Sequence, residues 1–321
     1  MASRDRRGVK VSGSVITGWG TALPEKVVTN AEFEARLETT DTWIVERTGI
    51  HERRFGGTTS GLAVEAGAAA ITMAGLAPSE IDLLILATTT PDKAIPATSS
   101  TVHAQLGCSG AAFDLNTACA GYVYATVVAD AMLGAGIGFK RALVIGSETL
   151  SVITDMEDRA TAVLFADGAG AVVFEHRDDA QPLILASDLG LDGSLLSILY
   201  CDHGGFMKME GREVFRRAVR ATVESALKVL DQAGVTADEI ALFVPHQANQ
   251  RIIDAMTQRL GIPQDRTAIV LDKTGNTSSA SIPIALAAAA DAGRLSDGDL
   301  ILFSGFGAGM TWASAVVRWG Q

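Results

Sequence analysis

Three short stretches place reactive side chains where α/β chains build sites. Phe113 to Met132, FDLNTACAGYVYATVVADAM, reads as a short strand, then Cys119, then Ala120-Gly121 and a long apolar run of helical type. A thiol at a strand-to-helix junction lies over the unpaired N–H groups that open a helix. The helix dipole favours thiolate over thiol there, and the N–H of Cys119 itself can bind an oxyanion. Cys119 is therefore a candidate nucleophile; the competing reading is a buried structural thiol. Val244 to Ile252, VPHQANQRI, puts His246 just past a buried strand, with Gln247, Asn249 and Gln250 behind it. Polar residues at the C-terminal end of a strand mark the usual place for an α/β site, although a histidine bonded to a backbone carbonyl fits as well. Leu271 to Ser281, LDKTGNTSSAS, sets Asn276 in a polar turn before another apolar helix, as a functional amide or as a cap. In SGFGAGMTWASAVV a strand follows the glycines, so the dinucleotide fingerprint fails; so does the early GWGTAL, which lacks a third glycine. The glycine-rich turn instead offers a second backbone donor near Ala308.

The elements that must position these residues come in two sets. EIDLLILATTT (Glu80 to Thr90) is echoed by EIALFVPHQAN (Glu239 to Asn249), and RALVIGSE (Arg141 to Glu148) by DLILFSGF (Asp299 to Phe306). Both echoes lie about 159 residues apart, close to half the chain, which points to duplication. AAFDLNTACAG pairs with TAIVLDKTGNTSS at nearly that spacing, and GAGAVVFE parallels WASAVVRW near the end of each half. ALVIG and LILFSG are continuous apolar runs, as expected of strands buried on both faces. The helices after Cys119 and after Asn276 are apolar nearly all round and must be buried, one per half, between two sheets. REVFRRAVRATVESALKVLDQAG is amphipathic and ends at Gly234, a good C-cap.

Composition bounds the rest. The chain has 321 residues, 48% hydrophobic and 20% charged, with 33 glycines, which suits an α/β protein with a large core. A net charge of -11 argues against nucleic acid held by a broad basic surface. Cys108, Cys119 and Cys201 are odd in number and form no C-x-x-C, so neither a disulfide framework nor a zinc site is expected. The five histidines show no H-E-x-x-H spacing, and no metal is expected. MASRDRRGVK has no apolar run behind it to make a signal peptide, and SIPIALAAAADAG is too short and alanine-rich to span a bilayer. A cytoplasmic protein without a membrane segment is the expectation.

Taken jointly, TACAG, PHQAN and GNTSSAS, in that order and with GFGAG near the C-terminus, resemble the β-ketoacyl-acyl-carrier-protein synthase III family of the thiolase superfamily. DTWIVERTGIHERR, FADGAGAVV and MEGREVFRRAV carry the resemblance over nearly the whole chain. It implies an α/β thiolase fold, an internally duplicated five-layered αβαβα sandwich. Residues 1–180 would form the half with the nucleophile and 181–321 the half with the histidine and asparagine. It implies a triad of Cys119, His246 and Asn276, with the oxyanion held by the backbone N–H groups of Cys119 and Ala308. The thiolate would take an acyl group from acyl-CoA. Malonyl-acyl carrier protein would then lose CO2 to an enolate, which His246 and Asn276 stabilise as donors, and condense with the acyl group. Asparagine has no titratable proton, so its presence favours oxyanion binding over proton abstraction.

The same resemblance places Trp43 and Arg159 around the CoA adenine and Arg47 and Arg251 at the phosphates. It has Asn249 orienting His246 through a water. No permanently bound cofactor is implied, and a homodimer is. Arg212, Arg216 and Arg220 follow one helix face with Arg217 adjacent, and with Arg251 and Arg259 they would dock the acidic carrier protein; a solvated helix face is the plainer reading. Ile95, where acetyl-preferring relatives often carry a bulky aromatic, would reach across the dimer to the acyl pocket and leave room for branched or longer groups. The family's GFGGG is GFGAG here, and a backbone donor survives that change if φ is negative. A priming or acyl-transferring enzyme of secondary metabolism, a non-catalytic partner subunit and a cysteine hydrolase stay open. A biosynthetic thiolase is disfavoured by the lack of a C-terminal C-x-G cysteine, and Cys201 reads as structural.

Overall fold

The computed structural model describes residues 13–320; the stretch MASRDRRGVK, read above as carrying no leader, lies outside the described residues. The apolar runs become strands, as their composition demands. Strands β1 (Gly13–Ala22), β2 (Leu83–Ala87), β3 (Ala111–Leu115), β4 (Arg141–Thr149) and β5 (Asp167–Arg177) form one sheet in the order β1-β5-β4-β2-β3. Strands β6 (Ile184–Leu191), β7 (Ile240–Pro245), β8 (Leu300–Gly307) and β9 (Thr311–Arg318) form the other in the order β7-β8-β9-β6.

The sheets repeat one pattern. β2 and β4 run parallel, as do β7 and β8; β5 and β9 then return antiparallel. The second sheet has no counterpart of β3. There the TAIVL segment makes only an isolated bridge, Thr267 to Phe243, and the helical turn Leu271–Thr274 takes up the chain instead. The echo of AAFDL in TAIVL therefore holds in sequence but gives a strand only once.

Seven helices complete the layers: α1 (Asp41–Thr48), α2 (Thr59–Met73), α3 (Thr98–Leu106), α4 (Gly121–Gly134), α5 (Gly211–Ala233), α6 (Gln250–Leu260) and α7 (Ser281–Asp291). The apolar α4 and α7 lie between the sheets and touch strands of both. α2 and α3 cover the outer face of the first sheet, while α5 and α6 share a core with Phe243 and Leu302 on the outer face of the second. The result is the five-layered sandwich. The central core joins Tyr122 of α4 to Phe303 of β8 in an edge-on ring contact at 6.0 Å, and full burial of side chains of this size stabilises by about 1.5–3 kcal/mol each. The amphipathic α5 ends at Gly234 with φ +67°, the left-handed cap its sequence predicts.

Candidate active site

Two turns, each opening one of the buried helices, face each other across the central layer. The first runs Asn116-Thr117-Ala118-Cys119-Ala120-Gly121 into α4, the second Asn276-Thr277-Ser278-Ser279-Ala280-Ser281 into α7. Ala118 and Ser278 both have φ +49° and are the only non-glycine residues with positive φ among the described residues. The Oδ1 of Asn116 accepts from the Ala118 N–H at 3.2 Å, as the Oδ1 of Asn276 does from the Ser278 N–H at 2.9 Å. Each turn is gripped by the opposite half. A Cβ on Gly307 would lie 2.5 Å from the Cys119 nitrogen, so only glycine lets β8 pass so close. Asn276 in turn is clamped by backbone bonds to Leu164 and Ala166.

Cys119, His246 and Asn276 line one cleft of about 400 Å³ with Phe306 and Gly307. His246 and Asn276 are buried, at 2% and 5% exposure, and form the floor. Arg47, Arg212 and Arg251 are exposed and line the mouth, and none pairs with a carboxylate among the described residues. Val214, Phe215 and Ile252 supply apolar wall between them. A cavity of similar size, about 420 Å³, is lined by Arg217, Arg220 and Lys228 together with Asp188, Asp192 and Glu224. Its charges balance and neither cysteine nor histidine lines it, so the thiol chemistry belongs to the first cleft.

The electrostatics correct one expectation. Part of Cys119 meets solvent, but its sulfur is enclosed, and burial pushes the thiol up to about 12. The Ser278 hydroxyl and the residue's own N–H act the other way and do not overcome it. A resting thiolate favoured by the helix end alone is therefore not what this pocket holds. Burial also pushes His246 down to about 3, so its ring is neutral at neutral pH. The Nδ1 of His246 lies 2.7 Å from the Ser281 hydroxyl, its backbone N–H donates to the Ser304 carbonyl, and its ring meets Phe306 edge-on at 5.4 Å. With Nδ1 engaged, Nε2 is the nitrogen left for the cleft. The Oδ1 of Asn276 is likewise engaged, which leaves its NH2 as the free donor. Ala308 opens the turn after β8, and the Thr311 hydroxyl lies within hydrogen-bond distance of both the Ala308 and Thr117 carbonyls, tying that turn to the one carrying Cys119.

Other expected residues fall in less simple places. Asn249 is the N-cap of α6: its Oδ1 accepts from Arg251 N–H at 2.9 Å and its Nδ2 donates to the Arg47 carbonyl at 2.9 Å. It thus couples the two arginines expected at the phosphates, while the Ser281 hydroxyl engages Nδ1 of the His246 ring. Arg47 and Arg159 both stack on Trp43, 4.7 and 4.6 Å from its centroid. At that spacing Arg159 and Trp43 touch each other, so an adenine between them has to part them. On α5, Arg216 and Arg217 bind Glu213, whose carboxyl Arg216 above all holds down to about 2, and Arg220 binds Glu224. Exposed Arg259 makes no ion pair among the described residues. Ile95 is 87% exposed and does not line its own chain's cleft. Cys201 is exposed, its sulfur 3.4 Å from the Gly205 carbonyl.

Comparison with known proteins places this geometry. The family model described as 3-oxoacyl-[acyl-carrier-protein] synthase III matches residues 113–193, and the model of that family's C-terminal part matches residues 230–319. A β-ketoacyl-[acyl-carrier-protein] synthase III of Erythrobacter litoralis is 49% identical over 319 residues, 95% of this chain and 99% of that protein. The chain belongs to the β-ketoacyl-acyl-carrier-protein synthase III family. It is thus an acyl-transferring condensing enzyme of the step that primes fatty-acid synthesis. The crystal structure of 3-oxoacyl-[acyl-carrier-protein] synthase III from Aquifex aeolicus superposes with a TM-score of 0.93 at 45% identity, covering 96% of this chain and all of that one. The priming β-ketosynthase of the R1128 polyketide pathway superposes at 0.92 with 35% identity, covering 96% and 97%. The thiolase fold of the family is the fold described here.

Three buried polar residues behind the lining of this synthase III cleft escaped the sequence reading: Ser278, Ser281 and Glu148. Glu148 is fully buried under the turns; its Oε2 accepts from Thr88, Thr90 and both the N–H and hydroxyl of Thr89, and its Oε1 lies 2.8 Å from the Ser279 hydroxyl. The signal was present in NTACAG against NTSSAS, whose residue-by-residue alignment sets Ser279 opposite Cys119 and Ser281 opposite Gly121.

Proposed function

We propose that the chain joins an acyl-CoA primer to malonyl-acyl carrier protein through an acyl-Cys119 intermediate. Cys119 sulfur attacks the thioester carbonyl, the bond to CoA breaks, and the thiol proton ends on the CoA sulfur. The N–H groups of Cys119 and Ala308 hold the oxyanion on the way. Malonyl-carrier protein then loses CO2, and the electron pair moves onto its thioester oxygen. The His246 Nε2–H and the Asn276 NH2 donate to that oxygen. The enolate carbon attacks the acyl group, the β-ketoacyl thioester leaves, and Cys119 regains a proton. The observation that carries this reading is the meeting of Cys119, His246 and Asn276 in one cleft beneath three arginines that pair with no carboxylate among the described residues. Arg47 and Arg251, coupled by Asn249, suit the CoA phosphates, with Trp43 and Arg159 at the adenine. Carrier docking falls chiefly on Arg212 and Arg251, because Arg216, Arg217 and Arg220 are engaged within α5. A homodimer through the open edge of β3 would bring the exposed Ile95 to the partner's cleft, with space for branched or longer primers. Three free cysteines fit a reducing cytoplasm, and no helix among the described residues is long and apolar enough to cross a membrane.

The test is intact mass after mixing with acetyl-, isobutyryl- and octanoyl-CoA, then with malonyl-carrier protein. Mass gain discharged with CO2 release is expected, with at least isobutyryl accepted beside acetyl. An acyl-enzyme that malonyl-carrier protein leaves intact would favour a priming transferase such as the polyketide relative. Strict acetyl use would remove the role given to Ile95. Arg212→Glu with Arg251→Glu should slow the discharge more than Arg216→Glu with Arg217→Glu, through KM and most at low salt.

A further inference from the structure

We propose that Ser281 is a positioning residue: its hydroxyl donates to Nδ1 of His246 and thereby presents Nε2 to the cleft as an N–H donor. This rests on the condensation reading above, since an Nε2–H is useful where negative charge develops on an oxygen. Ser281 is 1% exposed and opens α7, and its Oγ has two polar neighbours, Nδ1 of His246 at 2.7 Å and the backbone nitrogen of Gln247 at 3.2 Å. The Gln247 N–H can only donate, so it takes one lone pair of Oγ. If Nδ1 also carried a proton, Oγ would accept twice and its own hydrogen would be buried without an acceptor. Stranding a buried donor carries the full cost of its desolvation. With the hydroxyl donating to Nδ1, all three groups are satisfied, and the bond at one ring nitrogen fixes the proton on the other.

The other half of the molecule supports the assignment. By the strand register, Ala87 at the end of β2 stands where His246 stands beyond β7, and Gly121 stands where Ser281 stands. There a Cβ on Gly121 would lie 3.2 Å from the Ala87 methyl. The same contact is thus Gly on Ala in one half and Ser on His in the other: the hydroxyl occurs where there is a ring to orient. The histidine then enters the reaction already set as a donor, with no tautomer change needed when the enolate forms.

Protein labelled with 15N-histidine, the His246 signal assigned as the one missing in His246→Gln, tests this without substrate. Long-range 1H–15N spectra should show Nε2–H in the wild type and in Ser281→Thr, and a mixture with Nδ1–H in Ser281→Ala. In Ser281→Ala, discharge of acyl-Cys119 by malonyl-carrier protein should slow about tenfold or more while loading from acyl-CoA changes little, and Ser281→Thr should restore discharge. An Nδ1–H signal in the wild type, or an unchanged ring and unchanged discharge in Ser281→Ala, would overturn the assignment. Wild-type acyl-enzyme that malonyl-carrier protein cannot discharge would instead remove the condensation reading, and the spectra would still decide the tautomer.

Discussion

The turn holding Cys119 and the turn holding Asn276 share a backbone path, a φ of +49° at the third residue and an asparagine folded onto the N–H two residues on, yet they use opposite ends. In the first turn the asparagine, Asn116, is exposed and the fourth residue, Cys119, meets the cleft. In the second the asparagine is buried in the cleft, and the fourth residue, Ser279, bonds Glu148 and the Ala87 carbonyl instead. The difference comes from what stands opposite. At the end of β8 Gly307 leaves room beside Cys119; at the equivalent point near the end of β4 stands Glu148, which fills the space beside Ser279. Duplication built two equivalent places, and one buried carboxyl decides that only one is open.

The largest effect should come from moving the thiol between turns. Cys119→Ala should cut acylation by acetyl-CoA about 10³-fold or more, and adding Ser279→Cys should not restore it. Mass gain on the double variant would mean that the second turn is as open as the first. Next come the two asparagines. Asn276→Ala should slow discharge of the acyl-enzyme about 10²- to 10³-fold, as for loss of one oxyanion donor, with loading far less affected. Asn116→Ala should leave both half-reactions near wild type and lower stability by about 1 kcal/mol at most, a turn bond lost at the surface; equal kinetic losses in the two would erase the contrast.

The remaining contrast is one of stability against pH: His246 stands where the first half has Ala87. Its ring is neutral in the fold, held down to about 3 by burial, and titrates near 6.5 when unfolded. Below that pH the unfolded chain binds the extra proton, so stability falls as pH drops from about 6.5 towards 3, by about 1.4 kcal/mol per unit from this group. Replacing it as His246→Ala should flatten the dependence of urea unfolding between pH 6 and 4 by that slope. An unchanged slope would mean that the ring is protonated in the fold.

Much of this was readable in the chain. Cys119, His246 and Asn276 stand out because each sits in a short polar or small-residue turn before a helix, and the repeat already implied two sheets around two buried helices. Gly234 at the end of α5 followed from its type alone. The protonated state of Cys119 was not readable, because a helix end is visible in sequence while enclosure of a sulfur by another half of the chain is not. Ser278, Ser281 and Glu148 were passed over because serines in a turn read as caps and a single glutamate at a strand end reads as surface. The pairing of Arg216, Arg217 and Arg220 was legible after all: Glu213 and Glu224 stand three or four residues away on the same helix.

Glu148 has one more consequence. Its hydrogen-bond donors come from the strand end at Thr88 to Thr90 on one side and from Ser279 of the other half on the other side. Were the second half to melt alone, Glu148 would lose its Ser279 donor; were the first to melt, Ser279 would lose both Glu148 and the Ala87 carbonyl, a cost on either side. Two halves that look separable as sequence should therefore denature together, in a single cooperative transition.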